Sequence, residues 1–170
     1  KLDARVKNEI REVRSANLAA KITGSDQDRR AEYVIYSAHW DHLGIDPDSG
    51  KIFNGAVDNA SGCAGVLAIA HALRGAPSRR SQMFLFTCGE EPGLLGADAF
   101  VASPLWPLEK IVGVLNLESL NFAGPTRDIG LAGSEACGLA DLSSQVAKTM
   151  GLAVAPGRPD SAGLFFRADH

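Results

Sequence analysis

Residues 82–91 read QMFLFTCGEE, and this stretch decides the fold class. Gln82 to Thr87 is an apolar run of strand length without helical spacing, as in a strand buried on both faces. It ends in Cys88-Gly89-Glu90-Glu91, and Gly93 to Ala102 follows as a helix start and body. Upstream, Cys63, Val66, Leu67, Ala70 and Leu73 recur at i, i+3, i+4 and predict a helix that stops at Gly75-Ala76-Pro77. Before that helix lies a second strand-length run, Glu32 to Ala38 (EYVIYSA), and further on a third, Ile111 to Leu117 (IVGVLNL). Val6, Ile10, Val13 and then Leu18 to Ile22 suggest two more strands, broken near Ser15-Ala16-Asn17. Asp128 to Ala132 reads as a short strand and Glu135 to Met150 as an amphipathic helix. Strands alternating with helices predict an α/β domain of three layers, α/β/α, around a mostly parallel mixed sheet. Trp40 to Val57 shows no periodicity and is rich in Gly, Asp, Asn and Pro, a long loop of the kind that carries function.

The chain has 170 residues, 17 Lys+Arg against 20 Asp+Glu, a net charge of −3, and 45% hydrophobic residues. These values suit one globular domain, residues 1–170, and exclude a disordered, collagenous or coiled-coil main state. No apolar run approaches the roughly 20 residues that span a bilayer. The slight acidity offers no basic stripe for nucleic acid. Neither a membrane-spanning segment nor a nucleic-acid partner is therefore expected. Cys63, Cys88 and Cys137 cannot close a disulfide framework and lack C-x-x-C spacing, so they read as buried or half-buried thiols. The chain begins at Lys1 with neither Met nor a signal peptide and stops at Asp169-His170, which reads as a fragment.

In sheets of this kind ligands bind outside the carboxyl ends of the strands. EYVIYSA runs into His39-Trp40-Asp41, QMFLFT into Glu90-Glu91, and IVGVLNL into Glu118, while the loop before the first helix carries Asp58-Asn59. Four elements thus deliver His, Asp or Glu to one sheet edge. Carboxylates so crowded need a cation or protonation. Mixed with imidazole, they suit zinc or a similar divalent ion. Asp58 taken alone also fits a plain helix N-cap, and Glu90-Glu91 fits the positive end of a helix dipole. The coincidence of four elements favours a metal. An adjacent Glu pair divides the labour, one binding metal and the other acting as general base. In His39-x-Asp41, residues i and i+2 of an extended segment share a side, so Asp41 is placed to accept the spare ring N–H of His39. His42 reads as a surface or loop-packing residue and His71, within a helical pattern, as structural.

The order of these pieces resembles a known family. Ser37-Ala38-His39-Trp40-Asp41-His42-Leu43-Gly44, Asn54-Gly55-Ala56-Val57-Asp58-Asn59-Ala60-Ser61-Gly62, Glu90-Glu91-x-Gly-Leu-Leu-Gly and Asn116-Leu117-Glu118 look like the co-catalytic zinc aminopeptidases of metallopeptidase family twenty-eight. Relatives there include bacterial leucyl aminopeptidases and the glutamate carboxypeptidase group. The resemblance implies hydrolysis of a peptide bond near a free terminus by water activated between two zinc ions. It implies that His39 binds the first zinc with Asp41 orienting it, that Asp58 bridges both, and that Glu91 binds the second. Glu90 is then general base and acid. Glu118 takes the position of a first-zinc ligand, where the family usually has Asp. Arg167-Ala168-Asp169-His170 is similar to the family's Ser-Asp-His-like segment, which places Asp169 and His170 by the substrate pocket and a last His ligand beyond this chain. Two other readings accompany it: a single-zinc acyl transferase of the glutaminyl cyclase type, and a non-catalytic binding domain on the same fold. Relatives are often exported, so a periplasmic or secreted parent is expected.

Overall fold

A computed structural model describes residues 3–8, 10, 12–133, 138–155, 163 and 166–170. Its strands are β1 (Leu18–Ile22), β2 (Tyr33–His39), β3 (Gly44–Ile45), β4 (Ile52–Phe53), β5 (Ser81–Thr87), β6 (Ile111–Asn116), β7 (Asp128–Ile129) and β8 (Ala153–Val154). Its α-helices are α1 (Gly62–Leu73), α2 (Leu95–Ala102) and α3 (Leu139–Thr149). The central sheet has the order β1-β5-β2-β6. β2 runs parallel to both β5 and β6, and β1 pairs antiparallel with β5. The sheet is mixed and mostly parallel, as expected.

Side-chain alternation explains why the strands read as continuous apolar runs. Ile35, Met83 and Leu85 point to one face, where Phe100 of α2 covers them with Trp106, Ile111 and Val114 around it. Ala38 and Phe84 point to the other, against Val66 of α1, with Tyr36, Ile69 and Leu73 packed alongside. A strand with a helix on each face has no solvent side and so no alternating polar face. Met83 and Phe84 keep 0% and 2% of their surface exposed. Each contributes about 1.5–3 kcal/mol by burial. The stretch Ala56–Leu73 is long and apolar enough on composition to be weighed as a membrane span. Here it packs onto the sheet through α1, with Val66 fully buried.

Several expectations change. Among the described residues no strand precedes Leu18, and Val6, Ile10 and Val13 remain 81%, 93% and 83% exposed. Their alternation carries no buried face, since all three side chains stay in solvent, and alternation without burial does not fix a strand. The strand predicted over 128–132 shortens to β7, which pairs in parallel with β8. The aperiodic loop contains a two-residue hairpin, β3 with β4. The helix predicted from 135 is described from Leu139, and residues 134–137 lie outside the described set, as does Cys137. Cys63 and Cys88 are free and half-buried.

The register places the site. His39 lies opposite Thr87, and Ser37 opposite Asn116. The Ser37 hydroxyl donates to Asn116 Oδ1 at 2.8 Å, and the Leu117 N–H donates to the Ser37 carbonyl at 2.8 Å. The carboxyl ends of β5, β2 and β6 are therefore level, and whatever follows each strand meets its neighbours.

Candidate metal centre

β2 ends on His39, whose side chain is 1% exposed. Its Nδ1 lies 3.0 Å from the Asp41 backbone carbonyl, so Nδ1 carries the proton and donates. Nε2 is left facing carboxylates: Asp58 Oδ1 at 3.0 Å, Glu118 Oε1 at 3.2 Å and Glu90 Oε2 at 4.0 Å. The Asp41 carboxylate is farther from Nδ1, at 3.8 Å, than the backbone carbonyl. Its Oδ2 instead accepts the Gly89 N–H at 2.5 Å and ties the end of β2 to the end of β5. The strand stops at His39, so the same-side rule for i and i+2 lapses beyond it.

Asp58 sits in an irregular turn over Ala56–Ser61, ahead of α1. Asn59, 1% exposed, secures that turn to the end of β6. Its Nδ2 donates to the Leu117 carbonyl at 2.9 Å, while its Oδ1 accepts the Gly62 N–H at 3.1 Å and the Ser119 N–H at 3.2 Å. The Ser61 hydroxyl donates to the Val57 carbonyl and accepts the Leu120 N–H, at 2.6 and 2.9 Å. Gly62 is needed for close approach: a Cβ there would lie 2.4 Å from the Leu117 carbonyl oxygen. Asp58 and Glu118 are thereby held together by the residues beside them.

Glu90 and Glu91 leave β5 in a tight turn rather than opening a helix. The Gly93 and Leu94 N–H groups both donate to the Glu90 carbonyl at 2.9 Å, and α2 starts only at Leu95. The helix-dipole account of this pair does not hold. Asn17, just before β1, clamps the turn at both ends: its Oδ1 accepts the Cys88 N–H at 3.1 Å, and its Nδ2 donates to the Gly96 carbonyl at 2.7 Å. Asn17 and Asn59 both escaped the sequence reading, because an Asn at a strand start or helix entry carries no sign of which distant backbone it will bind.

His42, expected as a surface or loop-packing residue, also turns toward the site. Its Nδ1 lies 2.6 Å from Glu91 Oε1 and 3.9 Å from Asp58 Oδ1, and its ring meets Phe53 edge-on with centroids 6.3 Å apart. Of the two readings of His42, surface or loop-packing, the second holds: it is packed in the loop and faces the site. His71 is exposed on α1 and stands apart from the cluster. Asp169 is half-buried and accepts a hydrogen bond from the hydroxyl of Thr87, which is fully buried. His170 is exposed.

The structure thus brings His39, His42, Asp58, Glu90, Glu91 and Glu118 together, with donor atoms of His39, Glu90 and Glu118, and of His42, Asp58 and Glu91, each within 4.8 Å. Burial pushes the Glu90 carboxyl up to about 7, eased by His39 and reinforced by Glu118, Glu91 and Asp169. Burial lowers the His39 imidazolium pKa, but the Glu118 carboxylate more than offsets this and holds it at about 9. Asp169 is raised by burial, with the Thr87 hydrogen bond opposing. Among the described residues, buried Asp41 Oδ1, His42 Nδ1, Asp58 Oδ1, Glu91 Oε1, Glu118 Oε2 and Asp169 Oδ1 have no hydrogen-bond partner. Orphaned oxygens and imidazole nitrogens converging on one edge fit a divalent cation, and zinc takes this donor set.

Fold and site together describe an α/β domain of the metallopeptidase kind. Residues 17–170 match the sequence model of Peptidase family M28, and the chain belongs to that family. A vacuolar membrane protease of Verticillium alfalfae is 37% identical over 93 residues, covering 54% of this chain and 8% of the relative. The chain spans about a tenth of the length of such proteases. Among solved structures, a zinc aminopeptidase from Bacillus subtilis superposes with a TM-score of 0.66 at 22% identity, over 91% of this chain and 36% of that one. Porphyromonas gingivalis glutaminyl cyclase gives 0.66 at 19% identity, over 83% and 54%. At these identities both show a shared fold.

Proposed function

We propose that this chain is the catalytic domain of a zinc-dependent exopeptidase, an aminopeptidase, whose site is held by His39, Asp58, Glu91 and Glu118. The observation that carries the reading is the convergence of orphaned carboxylate oxygens and imidazole nitrogens from four chain segments at one sheet edge. His39, Asp58 and Glu118 would hold one ion, and Glu91 with Asp58 would contribute to a second position. Zinc held there would lower the pKa of a water toward 7 and polarise a carbonyl. Glu90 takes the proton from the attacking water and passes it to the leaving amine. Its Oε2 already lies within 4.0 Å of His39 Nε2, and its raised proton affinity suits that exchange. Asp41 holds the His39 tautomer through its backbone carbonyl and, through Gly89, sets the strand end from which Glu90 hangs. Asp169, anchored on Thr87, and His170 border the substrate side. Peptide is the substrate class in keeping with the family and with the protease relatives; those relatives also favour a compartment outside the cytoplasm, periplasmic, secreted or vacuolar.

The test uses the full-length protein that carries this sequence. Expected are two zinc ions per molecule and hydrolysis of an unblocked aminoacyl amide, with the N-acetylated substrate refused. Glutamine cyclisation with one ion would overturn the reading in favour of an acyl transferase, and neither ion nor turnover would mark a binding domain. Glu90→Gln should keep the zinc and lose about 10²–10⁴-fold in turnover. Unchanged turnover would remove Glu90 from the role of base.

A further inference from the structure

The turn that carries Glu90 and Glu91 is strained and is held from outside. Between β5 and α2, Leu94 takes φ +60° although it has a Cβ. A non-glycine residue persists in that region only where its surroundings over-determine it. Here the surroundings include the Ala16-Asn17 dipeptide just ahead of β1. The Asn17 amide closes the base of the turn: its Oδ1 accepts the Cys88 N–H at 3.1 Å, and its Nδ2 donates to the Gly96 carbonyl at 2.7 Å. Gly96 comes so near that a Cβ on it would lie 2.5 Å from Asn17 Oδ1 and 2.4 Å from the Cys88 carbonyl oxygen. The Ala16 carbonyl accepts the indole N–H of Trp40 at 3.2 Å, and Trp40 directly follows His39. One dipeptide thus binds both strand ends of the site, that of β2 beside His39 and that of β5 beside Glu90.

We propose that Asn17 is a positioning residue for Glu90, acting through the Cys88 N–H two residues before it. This role presupposes Glu90 as the general base. The ladder between β5 and β2 ends at the pair Thr87 and His39, so the residues beyond Thr87 need other ties. β5 lies between β1 and β2, and the two ties come from opposite sides: Asn17, ahead of β1, holds Cys88, and Asp41, beyond β2, holds Gly89. With one released, the turn can swing about the other and take the Glu90 carboxylate with it. A reacting group misplaced by about 1 Å costs on the order of 10²-fold in rate. An amide suits the place, since it offers an acceptor to Cys88 and a donor to Gly96 without adding a negative charge beside Glu90 and Glu91. Asn17 is half-buried at the outer strand of the sheet, so its loss reaches the reaction more than the fold.

The test is a double-mutant cycle on turnover by the full-length protein, with an unblocked aminoacyl amide as substrate. Asn17→Ala should lower kcat by about 10–100-fold, with zinc content unchanged and KM nearly so. In a Glu90→Gln background the same substitution should change the residual kcat by less than about 2-fold, because the group it positions is gone. Asn17→Asp keeps the acceptor for the Cys88 N–H and should recover most of the turnover that Asn17→Ala loses. Unchanged turnover in Asn17→Ala would overturn the proposal, and so would a loss that recurs in the Glu90→Gln background. A loss that comes as missing zinc or raised KM, or an Asn17→Asp no better than Asn17→Ala, would overturn it as well. In each of these cases the general-base reading stands. If Glu90→Gln alone leaves turnover unchanged, that reading falls and the role of Asn17 with it. Should Asn17→Ala fail to fold, Asn17→Ser, whose hydroxyl is one bond shorter than the amide, takes its place in the cycle.

Discussion

The two imidazole poles of the site are built differently. His39 is 1% exposed, sits on the end of a central strand, and has its Nδ1 satisfied by a backbone carbonyl. The carboxylates that face it are secured through Asn59 and the paired strands β2 and β6. His42 is 19% exposed and lies in the loop between β2 and β3, held by a ring contact and a close glycine. One pole is fixed by hydrogen bonds and sheet register, the other by packing of loop residues. Strand ends give precise placement, whereas loop packing gives placement that depends on a few apolar contacts. The first pole should therefore be expensive to disturb and the second inexpensive.

The largest effect expected on that contrast comes from Asn59→Ala. It leaves the Leu117 carbonyl and the Gly62 and Ser119 N–H groups unpaired, in and around a buried turn. Buried polar groups without partners cost about 1–3 kcal/mol each, so a loss of roughly 3 kcal/mol or more is expected even if water enters. The denaturant midpoint should fall with an unchanged m value. First-pole zinc affinity should fall with it, because Asp58 and Glu118 lose their common staple. A loss below about 1 kcal/mol would show that β6 and α1 hold the pole without Asn59.

A smaller effect is expected from pH, and it bears chiefly on the first pole. His39 goes from an ordinary 6.5 to about 9, and Glu90 from 4.5 to about 7. Both shifts mean that the metal-free folded state binds more protons than the unfolded chain between roughly pH 4.5 and 9. Stability then falls as pH rises through that window. The His39 contribution is fully present below 6.5 and is lost as pH passes about 9. The Glu90 carboxylate becomes a burden between 4.5 and 7. Zinc displaces these protons, so its own affinity should rise with pH and flatten or reverse the slope. Thermal unfolding at pH 5, 7 and 9, with chelator and with zinc, measures both. Metal-free protein that gains stability toward pH 9 would contradict the assigned surroundings of His39 and Glu90.

The same contrast explains what could be read from the chain before its structure. β2 and β5 are legible because burial on both faces makes each an apolar run, and β6 because it too is a short apolar run, although Val112 and Leu115 stay exposed at the sheet edge; the residues just past such runs meet at the sheet edge. His39, Glu90, Glu91 and Glu118 follow from that alone, and Asp58 from its place before α1. The register, the Asn59 staple and the Asn17 clamp were not legible, since a side-chain amide binds backbone far away in sequence. That His42 packs is legible, but that it faces the site is not, because its partners Phe53, Asp58 and Glu91 come from three other stretches of chain. Val6, Ile10 and Val13 misled in the opposite direction: alternation signals a strand only where one face is buried, and these side chains stay in solvent.

The smallest effect should come from Phe53→Ala, and it sharpens the contrast most. Phe53 is half-buried at the end of β4 and meets the site through its edge contact with His42. Aromatic contacts of this geometry contribute about 0.5–1.5 kcal/mol beyond area burial. Global stability should drop by no more than that order, since the hairpin of β3 and β4 lies outside the central sheet. Freed on one side, the His42 ring would sample other rotamers, and any property that depends on its orientation toward Glu91 and Asp58 should weaken several-fold. His39 and Glu118 are held through the Asp41 carbonyl, Asn59 and the strand register, so zinc at the first pole should be held as before. Titration that resolves two zinc affinities in Phe53→Ala and in the unaltered protein reads this directly. Selective weakening of one ion fits a packed pole beside a bonded one. Equal weakening of both would mean that the poles respond as a single rigid unit, with the hairpin bracing the whole edge.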